Sequence, residues 1–455
     1  MERGRRVEDR LDEIVRENKT GGPGGVENQS EIEKAVLVGA DTGEESNFAR
    51  SMEELGELAK ACGMQVEGMA VQKLDSIHKA FYIGTGKVQE VKEYADALEA
   101  DIIIFNNSLS PSQLRNLQKE IGRPVMDRTA LILDIFSRRA KTREARLQVE
   151  SARLQYLMSR LVGMHDALTR QGGASGSMSS KGAGEKKLEL DRRKIEKRLA
   201  ALRRELEEVA RERKNQSKRR EESRIPKVAL VGYTNAGKST LMNAMVEEYL
   251  HEEEKKVLEK DMLFATLDTT VRNIDLGCNK KILLSDTVGF IHKLPHTLIK
   301  AFQSTLEEVK NADLLLYVVD YSDEEYRQQI KVTEETLLEI GAADIPVIYV
   351  YNKSDLCGVP QLPERVGDDK IYMSAKSGQG LAELSGMIVE KVYAEYVQAE
   401  FLFPYSEGQK ASYFMEHAHV LKQEYMENGI WMKVECHKAD MGKYAEYSTA
   451  RLTCS

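Results

Sequence analysis

Cysteine, long apolar runs and excess positive charge are all scarce in this sequence, and each shortage removes a class of protein. The 455 residues include five cysteines, Cys62, Cys278, Cys357, Cys436 and Cys454, with no CxxC pair and no metal-ligand spacing. That excludes a disulfide framework and fits reduced thiols in the cytosol. No apolar run approaches the roughly 20 residues of a membrane span. The opening Met1-Glu-Arg-Gly-Arg-Arg6 leads into acidic sequence rather than a signal-peptide core. A cytoplasmic protein that no membrane holds is therefore expected. The net charge is −8, so the molecule as a whole is not a nucleic-acid-binding polycation. Any basic surface must be local.

Apolar residues make up 41% and charged ones 31%, enough for real cores and for long solvated helices. At roughly 150 residues per domain the length allows about three domains. Residues 1–34 are charged, contain Gly21-Gly-Pro-Gly-Gly25 and read as a mobile tail. Residues 35–136 then alternate between strand and helix patterns. Strands are expected at 35–39, 66–71, 101–105 and 125–126, and helices at 47–62, 88–98 and 110–121, which argues for a small α/β domain. Gly84-Thr-Gly-Lys87 lacks the spacing of a phosphate loop and reads as a turn into a helix.

From 129 to about 168 there is no proline, and Leu147, Leu154, Leu157 and Leu161 can share one helix face. A second long helix is expected over 185–222, with Leu188, Ile195, Leu199, Leu202 and Leu206 near heptad spacing. Glycine and serine at 171–184 separate the two. Residues 137–223 thus read as an antiparallel helical arm with a flexible tip. Arg138, Arg139, Lys141, Arg143 and Arg146 crowd its start, six basic residues lie within 211–220, and Arg192 and Arg193 stand near the tip. A charge run is either a solvated helix face or a phosphate-contacting surface, and both readings stay open. The arm lacks aromatic stacking platforms, so any RNA contact would be to shape and backbone.

Residues 224–397 hold the most informative stretch. Gly232-Tyr-Thr-Asn-Ala-Gly-Lys-Ser239 fits G-x-x-x-x-G-K-[ST], with an apolar strand before it and helical sequence from Thr240 after it. Glycines let successive backbone N–H groups, including those at Tyr233, Thr234, Asn235, Ala236 and Gly237, curl around phosphate oxygens. Lys238 can reach the β- and γ-phosphates, and Ser239 can offer a hydroxyl to Mg²⁺. Phe264-Ala-Thr-Leu-Asp268 supplies Thr266 as the second hydroxyl ligand, with Thr269 and Thr270 as alternatives. Asp286-Thr-Val-Gly289 ends a strand in a carboxylate for Mg²⁺ and a Gly289 N–H that can sense the γ-phosphate, beside Thr287. Asn352-Lys-Ser-Asp355 and Ser374-Ala-Lys376 complete the set. Asp355 can accept from N1–H and the 2-amino group of guanine, Asn352 can bond its O6/N7 side, Lys353 can lie across the base, and the Ala375 N–H can reach O6. A carboxylate facing the N1 acceptor of adenine discriminates by roughly 10⁴ or more. These motifs in this order imply a GTP-binding domain of the switch type, with GTP as substrate and GDP as product. The catalytic set is Lys238, Thr266 and Gly289; the metal set is Ser239, Thr266 and Asp286.

One expected part is missing. Phe290 stands where many GTPases place a water-orienting glutamine, and a phenyl ring cannot bond water. Slow intrinsic hydrolysis, faster when a partner orders the switches, is the expectation. Asn235 can either help hold K⁺ beside the phosphates or merely shape the loop, and both readings remain.

The run from Asp286-Thr-Val-Gly-Phe290 to Glu308 closely resembles the HflX GTPases, as do Asp127-Arg-Thr-Ala-Leu-Ile-Leu-Asp-Ile-Phe136, Leu114-Arg-Asn-Leu117 and Gly84-Thr-Gly-Lys-Val88. The likeness spans about residues 35–390. It implies a GTPase that associates with the large ribosomal subunit and its rRNA and splits stalled or idle ribosomes under stress. A GTP-switched RNA-binding or assembly factor without splitting activity is the alternative. Two departures stand out: Gly182-Ala-Gly-Glu-Lys-Lys-Leu188 at the arm's tip and Thr269 where the family usually has proline.

Residues 398–455 read as a small docking module, with a helix over 407–428 and a strand over 430–435. His417, His419 and His437 read as ordinary solvent-facing side chains. The expected fold is α/β. A P-loop GTPase domain, its mostly parallel sheet covered by helices on both faces, follows a small α/β domain with a long antiparallel helical arm. A small α+β C-terminal domain comes last. The expected state is a monomer.

Overall fold

The computed structural model describes residues 32–43, 47–170, 178–221, 225–250, 264, 270–277, 280–291, 303–358 and 362–449; the side chains of 162–170, 178–188, 213–221, 250 and 303–305 are outside that description. The expected switch threonine Thr266 and its alternative Thr269 lie outside the described residues, as do Cys278 and Cys454.

Four parallel strands open the chain: β1 (Lys34–Asp41), β2 (Gln65–Lys73), β3 (Ile102–Phe105) and β4 (Val125–Asp127), in the order β2-β1-β3-β4. β3 is buried at all four residues, as a continuous apolar run in a parallel sheet should be. Helices α1 (Phe48–Ala61), α2 (Thr85–Ala97) and α3 (Pro111–Ile121) connect these strands. α3 starts as the sequence dictates: Ser110 and Gln113 form a reciprocal capping box ahead of Pro111, and Gly122 closes it at φ 77°.

The arm departs from expectation at its start. Instead of one helix from 129, α4 (Arg128–Arg139) ends at an extended Ala140, and α5 (Arg143–Arg170) begins after it, with Thr142 Oγ1 accepting from the Ala145 N–H at 3.1 Å. The reason is burial: Leu131, Ile132, Ile135 and Phe136 pack with α1 and β1 in the core of the first domain, so α4 must turn back onto the sheet. α5 then pairs with α6 (Met178–Glu221) through Leu147, Leu154, Ile195, Leu199 and Leu202, with Leu157, Leu161 and Leu206 at the margin.

The third unit is a seven-stranded sheet in the order β10-β11-β9-β8-β5-β7-β6. Its members are β5 (Lys227–Val231), β6 (Thr270–Asp275), β7 (Lys281–Asp286), β8 (Leu314–Asp320), β9 (Val347–Asn352), β10 (Glu364–Val366) and β11 (Lys370–Tyr372). The edge strands β6 and β10 run antiparallel to a parallel interior. α7 (Lys238–Leu250), α8 (Gln303–Lys310), α9 (Tyr326–Ile340) and α10 (Leu381–Val392) accompany it. One apolar cluster joins one sheet face to α7 and α10, and another joins the opposite face to α8 and α9.

The C-terminal unit corrects the expected helix over 407–428. α11 (Gly408–His417) stops at an extended Ala418, and β13 (His419–Met426) forms a hairpin with β14 (Gly429–His437). The two-residue connection Glu427-Asn428 leads into Gly429 at φ 148°, where a Cβ would lie 2.1 Å from the Phe403 carbonyl oxygen. Asn and Gly are both turn-forming residue types. The preceding helix α10 ends at Val392, and Tyr396 begins β12 (Tyr396–Phe403), which pairs with β14. His417, His419 and His437 each have a separate neighbour, Tyr413, Glu435 and Glu395 respectively. Among the described residues no helix is long and apolar enough to cross a membrane.

Candidate nucleotide site

β5 is central in its sheet and buried over Val228–Val231. It delivers the loop 232–237 to the carboxyl edge, the place where open α/β sheets bind ligands. The loop's curl is enforced residue by residue. Gly232 has φ 144°, and a Cβ there would lie 2.2 Å from the Val318 carbonyl oxygen. Gly237 has φ 94°, and its Cβ would lie 2.2 Å from Asn352 Nδ2. Asn235 adopts φ 61° and is exposed, a left-handed conformation that asparagine tolerates better than most side chains.

Lys238 opens α7 and is buried. Its Nζ donates to the carbonyls of Gly232 at 3.1 Å and Tyr233 at 2.7 Å. Burial lowers its pKa to about 8, partly opposed by the Asp286 carboxylate. Ser239 Oγ donates to Asp286 Oδ2 at 2.6 Å. Two hard oxygen donors therefore converge beside the lysine, a set that suits Mg²⁺. Thr240 follows, half-buried, in the first turn of α7.

Gly289 sits against the loop so closely that a Cβ would lie 2.8 Å from Thr234 Cα and Cγ2 and 2.9 Å from Lys238 Nζ. The next residue fastens this contact: the Thr234 N–H donates to the Phe290 carbonyl at 2.8 Å, and the Phe290 N–H to the Gly232 carbonyl at 3.1 Å. The Phe290 ring itself is buried among Ala229, Leu306 and Val309. Its failure to hold water is therefore a matter of position as well as chemistry.

Four expected contacts change character. Thr287 donates its hydroxyl to the Leu230 carbonyl at 2.6 Å and is fully buried, so it fastens β7 to β5 and leaves only its backbone to the site. Asn352 was expected on the base; its Nδ2 donates to the Ala236 carbonyl at 2.9 Å and its Oδ1 accepts from the Ala375 N–H at 2.9 Å. It braces the phosphate loop against the 374–376 turn, and the Ala375 N–H expected at O6 is the one it holds. Phe264 was expected at the nucleotide; its ring meets Phe136 edge-on, centroids 4.7 Å apart, in the core of the first domain. Lys353, at φ 60°, pairs with Asp320 at 2.7 Å, Asp355 and Lys376 are exposed, and Ser374 is buried with its N–H on the Gln379 carbonyl.

The sequence gives no hint of what covers the loop. Tyr233 donates its hydroxyl to Glu54 of α1, and the other Glu54 oxygen pairs with Arg128, whose side chain is 3% exposed. Arg128 also donates to Asn106 Oδ1 at 2.9 Å. On the same face of α1, Asn47 donates to Glu325 at 2.8 Å and Arg50 pairs with Asp323 at 2.7 Å. Val288, Ile291 and Phe264 join Leu131, Ile135 and Phe136 in a single apolar cluster. The first domain thus rests on both the phosphate loop and the segments that flank it.

Three stretches match known families in succession. Residues 49–137 match the GTP-binding GTPase N-terminal family, 139–220 the GTP-binding GTPase Middle Region and 227–353 the 50S ribosome-binding GTPase family. The chain is 44% identical over 403 residues to the GTPase HflX of Caldanaerobacter subterraneus, covering 89% of this chain and 91% of that one. It is 43% identical to the GTPase HflX of Lacrimispora saccharolytica over 88% of this chain and 92% of the other. For the Escherichia coli GTPase HflX the identity is 37%, over 87% and 91%. A solved GTP-binding protein from Sulfolobus solfataricus, in complex with GDP, is 25% identical with a TM-score of 0.42, covering 80% of this chain and 99% of that one. With 44% identity to a relative across 89% of its length and three consecutive family matches, this chain belongs to the HflX family of GTPases and hydrolyses GTP.

Proposed function

We propose that this GTPase acts on the large ribosomal subunit, as a monomer, and drives apart stalled or idle ribosomes under stress. The match of residues 227–353 to a family described as a 50S ribosome-binding GTPase carries the reading. The arm supports it. Arg143 and Arg146 are exposed at its start, and six basic residues within 211–220 close it. Arg192 and Arg193 are each paired, with Glu196 and Glu189, so phosphate contact falls to the arm's base rather than its tip.

In the site, Lys238 holds the β- and γ-phosphates, and Ser239 and Asp286 hold Mg²⁺, with Thr266 as the further ligand. Bound there, Mg²⁺ would neutralise charge on the phosphate oxygens. The Gly289 N–H reads the γ-phosphate, Asp355 selects guanine and Lys353 covers the base. Asn235 offers its side-chain oxygen to K⁺. Because Phe290 is buried, turnover stays slow until the ribosome orders the switches.

Cosedimentation with purified large subunits, in a non-hydrolysable GTP analogue, GDP or no nucleotide, tests the binding. The expected result is retention with the analogue and release with GDP; equal recovery of unbound protein in all three states would sink the reading. Light scattering on 70S ribosomes should fall on addition of protein and the analogue. Unchanged scattering despite binding would leave a GTP-switched binding factor in its place.

A further inference from the structure

We propose that the free edge of β2 is a docking surface for a second copy of this chain, the two strands pairing antiparallel across a two-fold axis at Ala70. β2 ends its sheet and pairs only with β1. On it Met69 and Val71 are 43% and 42% exposed, and the stretch 68–72 contains neither proline nor charge. Edge strands are usually blunted by such residues or by bulges, and an apolar edge without them invites a further strand. The one irregularity in the pairing with β1 skips Glu67, at the margin of this stretch.

The backbone fixes which groups this edge offers. Just past the strand, the Leu74 N–H donates to the Asp41 carbonyl of β1 at 2.8 Å. Within a strand the N–H and C=O of one residue point to the same side, and successive residues alternate. The register with β1 is regular from Gly68 to Lys73, so residues 68, 70 and 72 bond β1, while Met69, Val71 and Lys73 turn their N–H and C=O groups to the open edge. These three are also the exposed ones, and as alternate residues their side chains share one face of the sheet.

Self-pairing through those outward groups requires odd residues to face odd residues, which leaves three central registers. Centring on Met69 sets Glu67 against the partner's Val71, and centring on Val71 sets Met69 against the partner's Lys73. Each opposes a charge to an apolar side chain. Centring on Ala70 sets Met69 against the partner's Val71 and Glu67 against the partner's Lys73, each contact occurring twice by symmetry. Apolar then meets apolar and acid meets base, the cross-strand pairs that stabilise a sheet, and the interface is isologous as a two-fold requires. Among the described residues neither Glu67 nor Lys73 has an ion-pair partner within the chain. A strand edge alone buries less than the roughly 1,000 Å² of a lasting interface, so the dimer is weak and forms with rising concentration. Single copies, the form proposed to act on the large subunit, prevail in dilute solution.

Sedimentation equilibrium of the full-length protein between about 1 and 100 μM, where weak interfaces associate, tests the pairing. Wild type is compared with Glu67→Lys, Lys73→Glu and the variant carrying both, none of which touches the nucleotide site. Wild type should show a monomer–dimer equilibrium. Each single variant sets like charges opposite one another at both ends of the pairing and should weaken the dimer at least about tenfold. The double variant exchanges the two signs and should recover wild-type association within about threefold. Loss of that association in the singles with recovery in the double cannot come from misfolding, because the double carries both changes. Wild type that stays monomeric throughout overturns the proposal. So does a dimer that neither single variant weakens, or one that the double variant fails to restore, since either result puts the contact elsewhere.

Discussion

Lys238 shows how much of a nucleotide site is held in readiness by one residue. Its ammonium lies buried on two carbonyls, and its pKa is lowered to about 8 from 10.5, burial outweighing the help of Asp286. A lysine depressed in the fold opposes folding below that value. The folded protein releases its proton first, so the unfolded chain binds more protons between about 8 and 10.5, and stability from this group rises with pH across that window. Thermal melts of nucleotide-free wild type and Lys238→Met from pH 7.5 to 10, spanning that range, should show wild type gaining on the variant. A constant difference would contradict it. Added GDP should flatten the trend, since phosphate stabilises the charged form. At this scale the sequence was highly legible. A phosphate loop is local, and eight adjacent residues state its chemistry. What stayed hidden was partnership: Asn352 was readable as a base contact, but its two bonds go to Ala236 and Ala375, 116 and 23 residues away.

At the scale of elements, α1 does the unexpected work. Asn47, Arg50 and Glu54 recur at spacings that place them on one helix face, and in sequence such a face reads as solvated. Here it lies on the nucleotide domain, because Glu54 divides its carboxylate between buried Arg128 and the loop residue Tyr233, 179 residues away. Removing one partner of a buried pair leaves an uncompensated charge, which costs about 3–5 kcal/mol. Glu54→Ala should therefore lose about that much in urea unfolding, whereas Tyr233→Phe, which spares the ion pair, should lose about 1 kcal/mol. Similar losses in the two variants would mean that the pair with Arg128 is not the dominant contact. The strands and α3 were legible because apolar runs and the Ser110-Pro111 cap act locally. The hairpin of β13 and β14 was not. Leu421 and Tyr425 fit either period and stay exposed, so the strand is set by its pairing with β14, which β12 holds from the other side.

Across the whole molecule, an acidic chain clusters basic residues at 138–146 and 211–220, the start and the close of its helical arm. Arg143→Glu with Arg146→Glu reverses charge at exposed positions and should leave nucleotide binding intact. Binding to large subunits should weaken at least tenfold in about 0.1 M salt, and its salt dependence should become shallower by roughly one power per lost phosphate contact. Titrations against large subunits at several KCl concentrations would show it, and an unaltered slope would place the RNA contact elsewhere. The order of domains was legible from composition shifts and from the order of motifs. Their mutual placement was not, since the contacts that set it join residues more than a hundred positions apart, such as Phe136 with Phe264.

That aromatic pair also has a consequence for how the chain is made. The first domain's apolar cluster includes Phe264, Val288 and Ile291, so its outer side stays uncovered while the intervening arm and phosphate loop are synthesised. At ordinary elongation rates that interval is on the order of ten seconds. Through that time the nascent chain presents Phe136 and its neighbours to whatever lies nearby, and a chaperone at the tunnel exit is a natural temporary occupant of the place that Phe264 later takes.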